Sequence, residues 1–153
     1  MAGVPATGLF KLYSAFDYIN FNVAQEDINF EELVRLNLKN YNWYTNASYD
    51  GFLGDITKLT TGISYSNSRN DLLFNTTDIS NTEMTFHAKA KIKHSFSNWF
   101  KISYGAEYFS KDFSEEGLVE QTVPFIYDFT ENIAAAFTET DIFFSNDLAA
   151  KVG

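Results

Sequence analysis

The 153 residues contain no cysteine, so neither a disulfide framework nor a thiolate metal site can belong to the fold. Basic residues are few: 11 Lys and Arg stand against 20 Asp and Glu, and the net charge of −9 argues against nucleic acid as a partner. No run of apolar residues is long enough for a transmembrane helix, and the opening Met-Ala-Gly-Val-Pro lacks the basic start and apolar core of a signal peptide. An exported protein starting here is expected to be a processed form or a piece. No Gly-x-Ser-x-Gly elbow or other nucleophile signature occurs, so the sequence gives no reason to expect an enzyme. Histidine is confined to His87 and His94, which an odd spacing puts on opposite faces of a strand, out of reach of a shared metal. Neither a metal nor a cofactor is expected.

What is abundant is aromatic: 16 Phe and 9 Tyr, more than the core of a domain this size requires. The pattern is clearest from Thr82 to Lys111, which reads as one long β-hairpin. In its first arm Met84, Phe86, Ala88, Ala90, Ile92, His94 and Phe96 alternate with Thr85, His87, Lys89, Lys91, Lys93 and Ser95. A three-residue loop, Ser97-Asn98-Trp99, keeps apolar against apolar: Ile92 opposite Tyr104, Ala90 opposite Ala106, Ala88 opposite Tyr108. It also sets Lys89 opposite Glu107. A two-residue turn would put Lys93 against Ile102, and a slip of one residue inverts every side chain. An arm of roughly 13 residues, tilted by about 40°, projects roughly 33 Å, enough to cross the hydrocarbon of a bilayer. A long soluble hairpin is the other reading.

Along the chain, Gly8 to Val23 is strand-like, with Phe10, Leu12, Phe16 and Tyr18 on one face. The phase then moves to Ile19, Phe21 and Val23, which a bulge near Tyr18 or an early strand end would explain. Gln25 to Glu32 reads as a short acidic connection. Leu33 to Tyr49 also changes phase midway, and Glu31 to Lys39 could instead begin a helix. After a turn at Asp50-Gly51, Thr57 to Ser66 is a strand. Asn67 to Asn81 and Asp112 to Asp128 read as long polar loops, the second carrying Glu115, Glu116 and Glu120, a solvated acidic run that could also bind a cation. Asn132 to Phe144 is a further strand, and Ser145-Asn146-Asp147 repeats the Phe-Ser-Asn turn found at 96–98. It pairs Ile142 with Ala150 and Asp141 with Lys151. Long and short connections thus alternate, as in outer-membrane barrels.

The series Asn-Trp-Tyr-Thr-Asn-Ala-Ser-Tyr-Asp-Gly-Phe (42–52), Gly-Ile-Ser-Tyr-Ser-Asn-Ser-Arg-Asn-Asp-Leu (62–72), His-Ala-Lys-Ala-Lys-Ile-Lys-His-Ser-Phe-Ser-Asn (87–98) and Ile-Ala-Ala-Ala-Phe-Thr-Glu-Thr-Asp-Ile-Phe-Phe-Ser-Asn-Asp-Leu (133–148) resembles the barrel of a Bacteroidetes-type TonB-dependent outer-membrane receptor. The resemblance runs from about Gly8 onward and lies in strand and turn texture, not in a catalytic motif. It implies an all-β fold of antiparallel up-and-down transmembrane strands. With room for six or seven of them and no plug domain, residues 1–153 are expected to be one segment of a larger barrel. The implied partners are the lipid bilayer, the rest of the barrel and its plug, a TonB-type energy-coupling protein and a surface lipoprotein. The implied location is the bacterial outer membrane, and the implied function nutrient uptake.

In such a barrel, lysines at the bilayer midplane would each cost about 2 to 4 kcal/mol on the lipid side, so the lysine row must face the lumen. The candidate lumen lining is His87, Lys89, Lys91, Lys93, Lys101 and Glu107, and the candidate interfacial girdle is Phe96, Trp99 and Phe100. The alternative is a small independent barrel, soluble or membrane-bound, that holds an apolar ligand in an aromatic cavity.

Overall fold

The structure, a computed structural model, describes residues 8–26, 33–119, 122–145 and 147–153. Seven strands account for nearly all of them: β1 (Gly8–Gln25), β2 (Val34–Phe52), β3 (Thr57–Phe74), β4 (Thr77–Ser95), β5 (Phe100–Val119), β6 (Val123–Phe143) and β7 (Ala149–Val152). They form one antiparallel sheet in the order β1-β2-β3-β4-β5-β6-β7, each strand pairing only with its neighbours in the chain. This is the all-β, up-and-down architecture expected from the sequence. Among the described residues β1 and β7 make no contact, so the sheet formed by these strands is open.

Both Phe-Ser-Asn turns set the expected register. In the β4–β5 hairpin Lys89 pairs with Glu107, Ala90 with Ala106 and Ile92 with Tyr104. The loop is closed by hydrogen bonds from the Phe96 and Ser97 amides to the Phe100 carbonyl at 3.1 and 3.2 Å, while the Phe100 amide donates to Ser97 Oγ at 3.1 Å. In the β6–β7 hairpin Ile142 pairs with Ala150 and Asp141 with Lys151, and the Phe144 and Ser145 amides donate to the Leu148 carbonyl.

The expected long loops are not loops. β3 runs on to Phe74 and β4 starts at Thr77, leaving a two-residue turn whose Asn75 takes a left-handed φ of 52°, a conformation Asn tolerates better than most residues. Asn75 also clips the turn to β2, accepting from the Arg35 amide at 2.8 Å and donating its own amide to the Arg35 carbonyl at 2.9 Å. Likewise β5 and β6 remain paired as far as Val119 opposite Val123. Glu115 and Glu116 therefore lie on opposite faces of β5 rather than together in an acidic loop; Glu120 lies outside the described residues. Neither expected break in β1 is found: its pairing with β2 is continuous from Gly8 to Gln25, with no bulge at Tyr18. Residues 34–52 are strand, not helix. The acidic connection falls, from residue 27 on, outside the described residues.

Strand propensity misjudges these segments because their polar residues bond across the sheet. Asn40 Nδ2 donates to Asn70 Oδ1 at 2.6 Å and Asn70 Nδ2 to Asn81 Oδ1 at 2.9 Å, an amide ladder over β2, β3 and β4. Two glycines of β5 are roofed by aromatic rings from β6. Phe137 lies over Gly105 and Phe125 over Gly117, each from the paired position. A methyl at Gly105 would sit 2.6 Å from the Ala90 carbonyl oxygen, so the close approach there requires glycine.

The sheet is a single layer. No described hydrophobic side chain is buried, and the one buried polar residue is Ser103. Phe10, Phe16, Leu12 and Trp43 are all about half or more exposed. Such a layer cannot be held together by a core of its own.

Candidate functional site

The register sorts every side chain onto one of two faces. One carries Ala88, Ala90, Ala106, Ala134 and Ala136 and is called here the alanine face; the other carries Lys89, Lys91 and Lys93 and is the lysine face. The C-terminal ends of β2, β4 and β6 define the near end of the sheet, and those of β3 and β5 the far end.

On the alanine face an apolar band crosses the sheet with aromatic residues at both margins. In β1 it runs from Phe10 to Tyr18, and in β5 from Phe100 to Tyr108. Each stretch is about 27 Å along the strand, or roughly 20 Å in height once the strand is tilted by about 40°. At the near margin Phe96 packs against His94 and Phe100, with ring centroids 4.4 and 5.7 Å apart, and Trp99 lies 5.5 Å from Phe100. The far margin is a second aromatic row that the sequence reading missed. It comprises Tyr18 with Tyr41 at 4.8 Å, Trp43 with Tyr65 at 5.7 Å and Phe86 with Tyr108 at 6.4 Å.

The band is oblique to the ladders. Following paired residues from Tyr18 through Tyr41, Arg69 and Thr82 leads to Ser114 of β5, about six positions beyond Tyr108, where the band ends in that strand. The near margin shifts the same way: Phe10 aligns with Ala106, about six positions from Phe100. Six residues at about 3.3 Å over four strand spacings of about 4.8 Å correspond to strands tilted by about 45° to the band. Several polar atoms inside the band are paired off. Ser14 Oγ and Thr45 Oγ1 share a hydrogen bond of 2.8 Å, Trp43 Nε1 donates to Ser14 Oγ at 3.1 Å, and Thr61 Oγ1 donates to the Lys89 carbonyl at 3.0 Å.

At the level of the band, the lysine face is polar and charged. All six candidate lining residues lie on it, with Lys89 opposite Glu107 as expected. Lys89 Nζ stays 3.8 Å from Glu107, a loose contact, and His87 Nε2 is 3.6 Å from the same carboxylate. Lys91 reaches across β5 to Glu139 at 3.1 Å and Lys93 to Asp141 at 2.7 Å. Ser103 and Gly105 lie between them on β5, and their small size leaves the path open. Asp141 and Lys151 are opposite each other in the ladder as expected, but the Asp141 carboxylate bonds Lys93, while Lys151 bonds Glu139 at 3.0 Å. Lys101 has no carboxylate partner among the described residues and lies 5.0 Å over the Phe143 ring. Glu139 was not singled out from sequence; of its two partners, Lys91 sits two strands away, where no spacing rule reaches. His87 and His94 fall on opposite faces, and His94 Nδ1 instead shares a 2.8 Å hydrogen bond with Thr57 Oγ1.

No family model matches the sequence, and no curated protein matches it. Among solved structures the chain is similar to the ferric yersiniabactin uptake receptor FyuA from Yersinia pestis, with a TM-score of 0.63 over 97% of this chain at 14% identity. The aligned part is 25% of that chain, so this protein spans about a quarter of the receptor's length. At that identity the likeness is one of fold: antiparallel up-and-down strands in a single sheet.

Beyond the band, towards the far end, the two faces of this segment exchange character. The alanine face becomes polar, with Arg69, Asp71, Ser80 and Glu116. The lysine face becomes apolar, with Ile19, Phe21, Leu36, Leu72, Phe74 and Ile79. Phe113 stacks on Phe129 there at 5.2 Å. The phase changes read in β1 and β2 are the local trace of this sheet-wide inversion.

Proposed function

We propose that this chain is a wall section of an outer-membrane β-barrel, part of a TonB-dependent receptor of Bacteroidetes type that takes up nutrients. The observation that carries this reading is the oblique apolar band. A lipid slab cuts tilted strands at constant height, so its imprint must shift from strand to strand while keeping its width, and both margins here shift by the same amount. The aromatic rows at the margins stand where interfacial girdles belong, with Phe96, Trp99 and Phe100 on the near side. The fold shared with an uptake receptor supports the same class.

On this reading residues 1–153 are barrel wall without plug. The alanine face meets the bilayer of the bacterial outer membrane. His87, Lys89, Lys91, Lys93, Lys101 and Glu107 line the lumen, where water and the opposed charges of Glu139 and Asp141 compensate them. The remaining partners are the rest of the barrel, its plug, a TonB-type protein and a surface lipoprotein.

Quenching by brominated lipid tests the central claim. With Trp99 replaced by Phe, Trp43 is the sole tryptophan, and it sits at the far margin of the band. After refolding into vesicles, its fluorescence is expected to fall when the acyl chains carry bromine. Unquenched Trp43, together with a monodisperse monomer in detergent-free buffer, would overturn the membrane reading.

A further inference from the structure

On the lysine face, at mid-height of the band, β2, β3 and β4 surround a depression of about 270 Å³ floored by Gly62. Asn46, Ser48, Thr60, Ser64, Lys89 and Lys91 contribute to its walls, and no carboxylate does. The acidic groups around it each face a cation: Glu107 lies 3.6 Å from His87, which also lines the depression, Asp50 is held by Lys58 at 2.9 Å and Thr60 at 3.0 Å, and Glu139 by Lys91 and Lys151. Lys89 Nζ has only the loose 3.8 Å approach of Glu107, and its side chain is half exposed. Within a chain of net charge −9 this is a spot where ammonium and hydroxyl donors converge while the carboxylates stay outside the walls, and where Lys89 is only loosely held by its own.

We propose that the depression is a subsite for an oxyanion group, phosphate or carboxylate in size, on a solute that occupies the lysine face. The inference rests on the reading of that face as the lumen wall. Lys89 is the principal cation, because Lys91 is held towards β6 by Glu139. The Ser48 and Ser64 hydroxyls supply short donors from β2 and β3, and Gly62 makes the room. A Cβ added at Gly62 would meet nothing closer than the Ala47 carbonyl oxygen at 3.6 Å. A larger side chain there would therefore fill the depression without straining the sheet or altering its charge.

The test is a titration of the intact chain, in detergent micelles, with inorganic phosphate at constant ionic strength, followed by ³¹P line broadening. Saturable binding is expected, weakened about tenfold or more by Lys89→Ala, as for loss of a hydrogen bond to a charged group. Gly62→Val, which leaves every charge in place, should weaken it similarly. Lys101→Ala removes a cation of the same face outside the depression and should change it less than about twofold, within the reach of diffuse charge alone. Equal losses in the Lys89 and Lys101 variants, or unaltered binding in Gly62→Val, would overturn the subsite. Bilayer insertion reads out separately through brominated lipid. A protein that inserts but takes no phosphate overturns the subsite alone; one that binds phosphate without inserting upholds the subsite and overturns the membrane reading.

Discussion

The near and far halves of this sheet share strands, ladders and register, yet they place opposite chemistry on a given face. In β4 the alanine face carries Ile92, Ala90, Ala88, Phe86 and Met84 in the near half, then Thr82, Ser80 and Asp78 in the far half. On the other face the lysines at 93, 91 and 89 give way to Asn81, Ile79 and Thr77. The backbone has no part in the exchange, since pairing continues unbroken through it. What changes is the solvent each face is built for. The near half suits hydrocarbon on one side and water on the other; the far half suits water on the alanine side and a covered, drier surface on the lysine side.

The sharpest way to break this comparison is one substitution made twice on the alanine face. Ala90→Arg puts a charge in the middle of the band and should cost about 2 to 4 kcal/mol of stability in lipid vesicles, as for a cation at the bilayer midplane. Ser114→Arg puts the same charge beyond the far margin, near Asp112 and Asp128, and should change stability by no more than about 0.5 kcal/mol. Denaturant titrations of refolded protein measure both. Equal costs would mean that the two halves of this face meet the same solvent.

A smaller effect is expected at the boundary between the halves. Asn70→Ala removes the middle of the amide ladder and leaves Asn40 and Asn81, both half-buried, without their partner. A loss of about 1 to 2 kcal/mol follows from two amide hydrogen bonds of modest net worth. The same titration reads it, and Ser66→Ala in the same strand is the control, with little change expected.

The smallest effect concerns the polar far half. Burial raises the pKa of Asp71, but hydrogen bonds from Ser80 and Arg69 and the charges of Arg69 and Lys39 outweigh it and hold the carboxyl below its ordinary 3.8. The group therefore stabilises the fold above that value and loses its contribution as pH falls through the lower, folded pKa. Stability measured from about pH 5 to about pH 3 should fall less steeply in Ser80→Ala than in the parent. An identical slope in both would separate Asp71 from the stability of this half.

The near half was legible in the sequence because its alternation is strict. Lys89, Lys91 and Lys93 between alanines allow one register only, and the Phe-Ser-Asn turns set it. The far half was not legible, because at the crossover neither face keeps one polarity and the period of two disappears. Asn67 to Asn81 then has loop composition although every residue but those at the turn is paired. Asn70 and Asn81 look like loop residues until each is seen to bond a neighbouring strand. The far aromatic row escaped for a related reason: Tyr18, Tyr41, Tyr65 and Phe86 lie far apart in the chain, and only the ladders bring them into line. The partners of Lys91 and Lys93 are hidden by a strand lying between.

The strand order has a consequence for how fast such a sheet can assemble. Every ladder joins chain neighbours, so each new strand finds its template one turn back, and the entropy of closing a turn of a few residues is small. Assembly can proceed as successive hairpin additions without waiting for distant segments to meet.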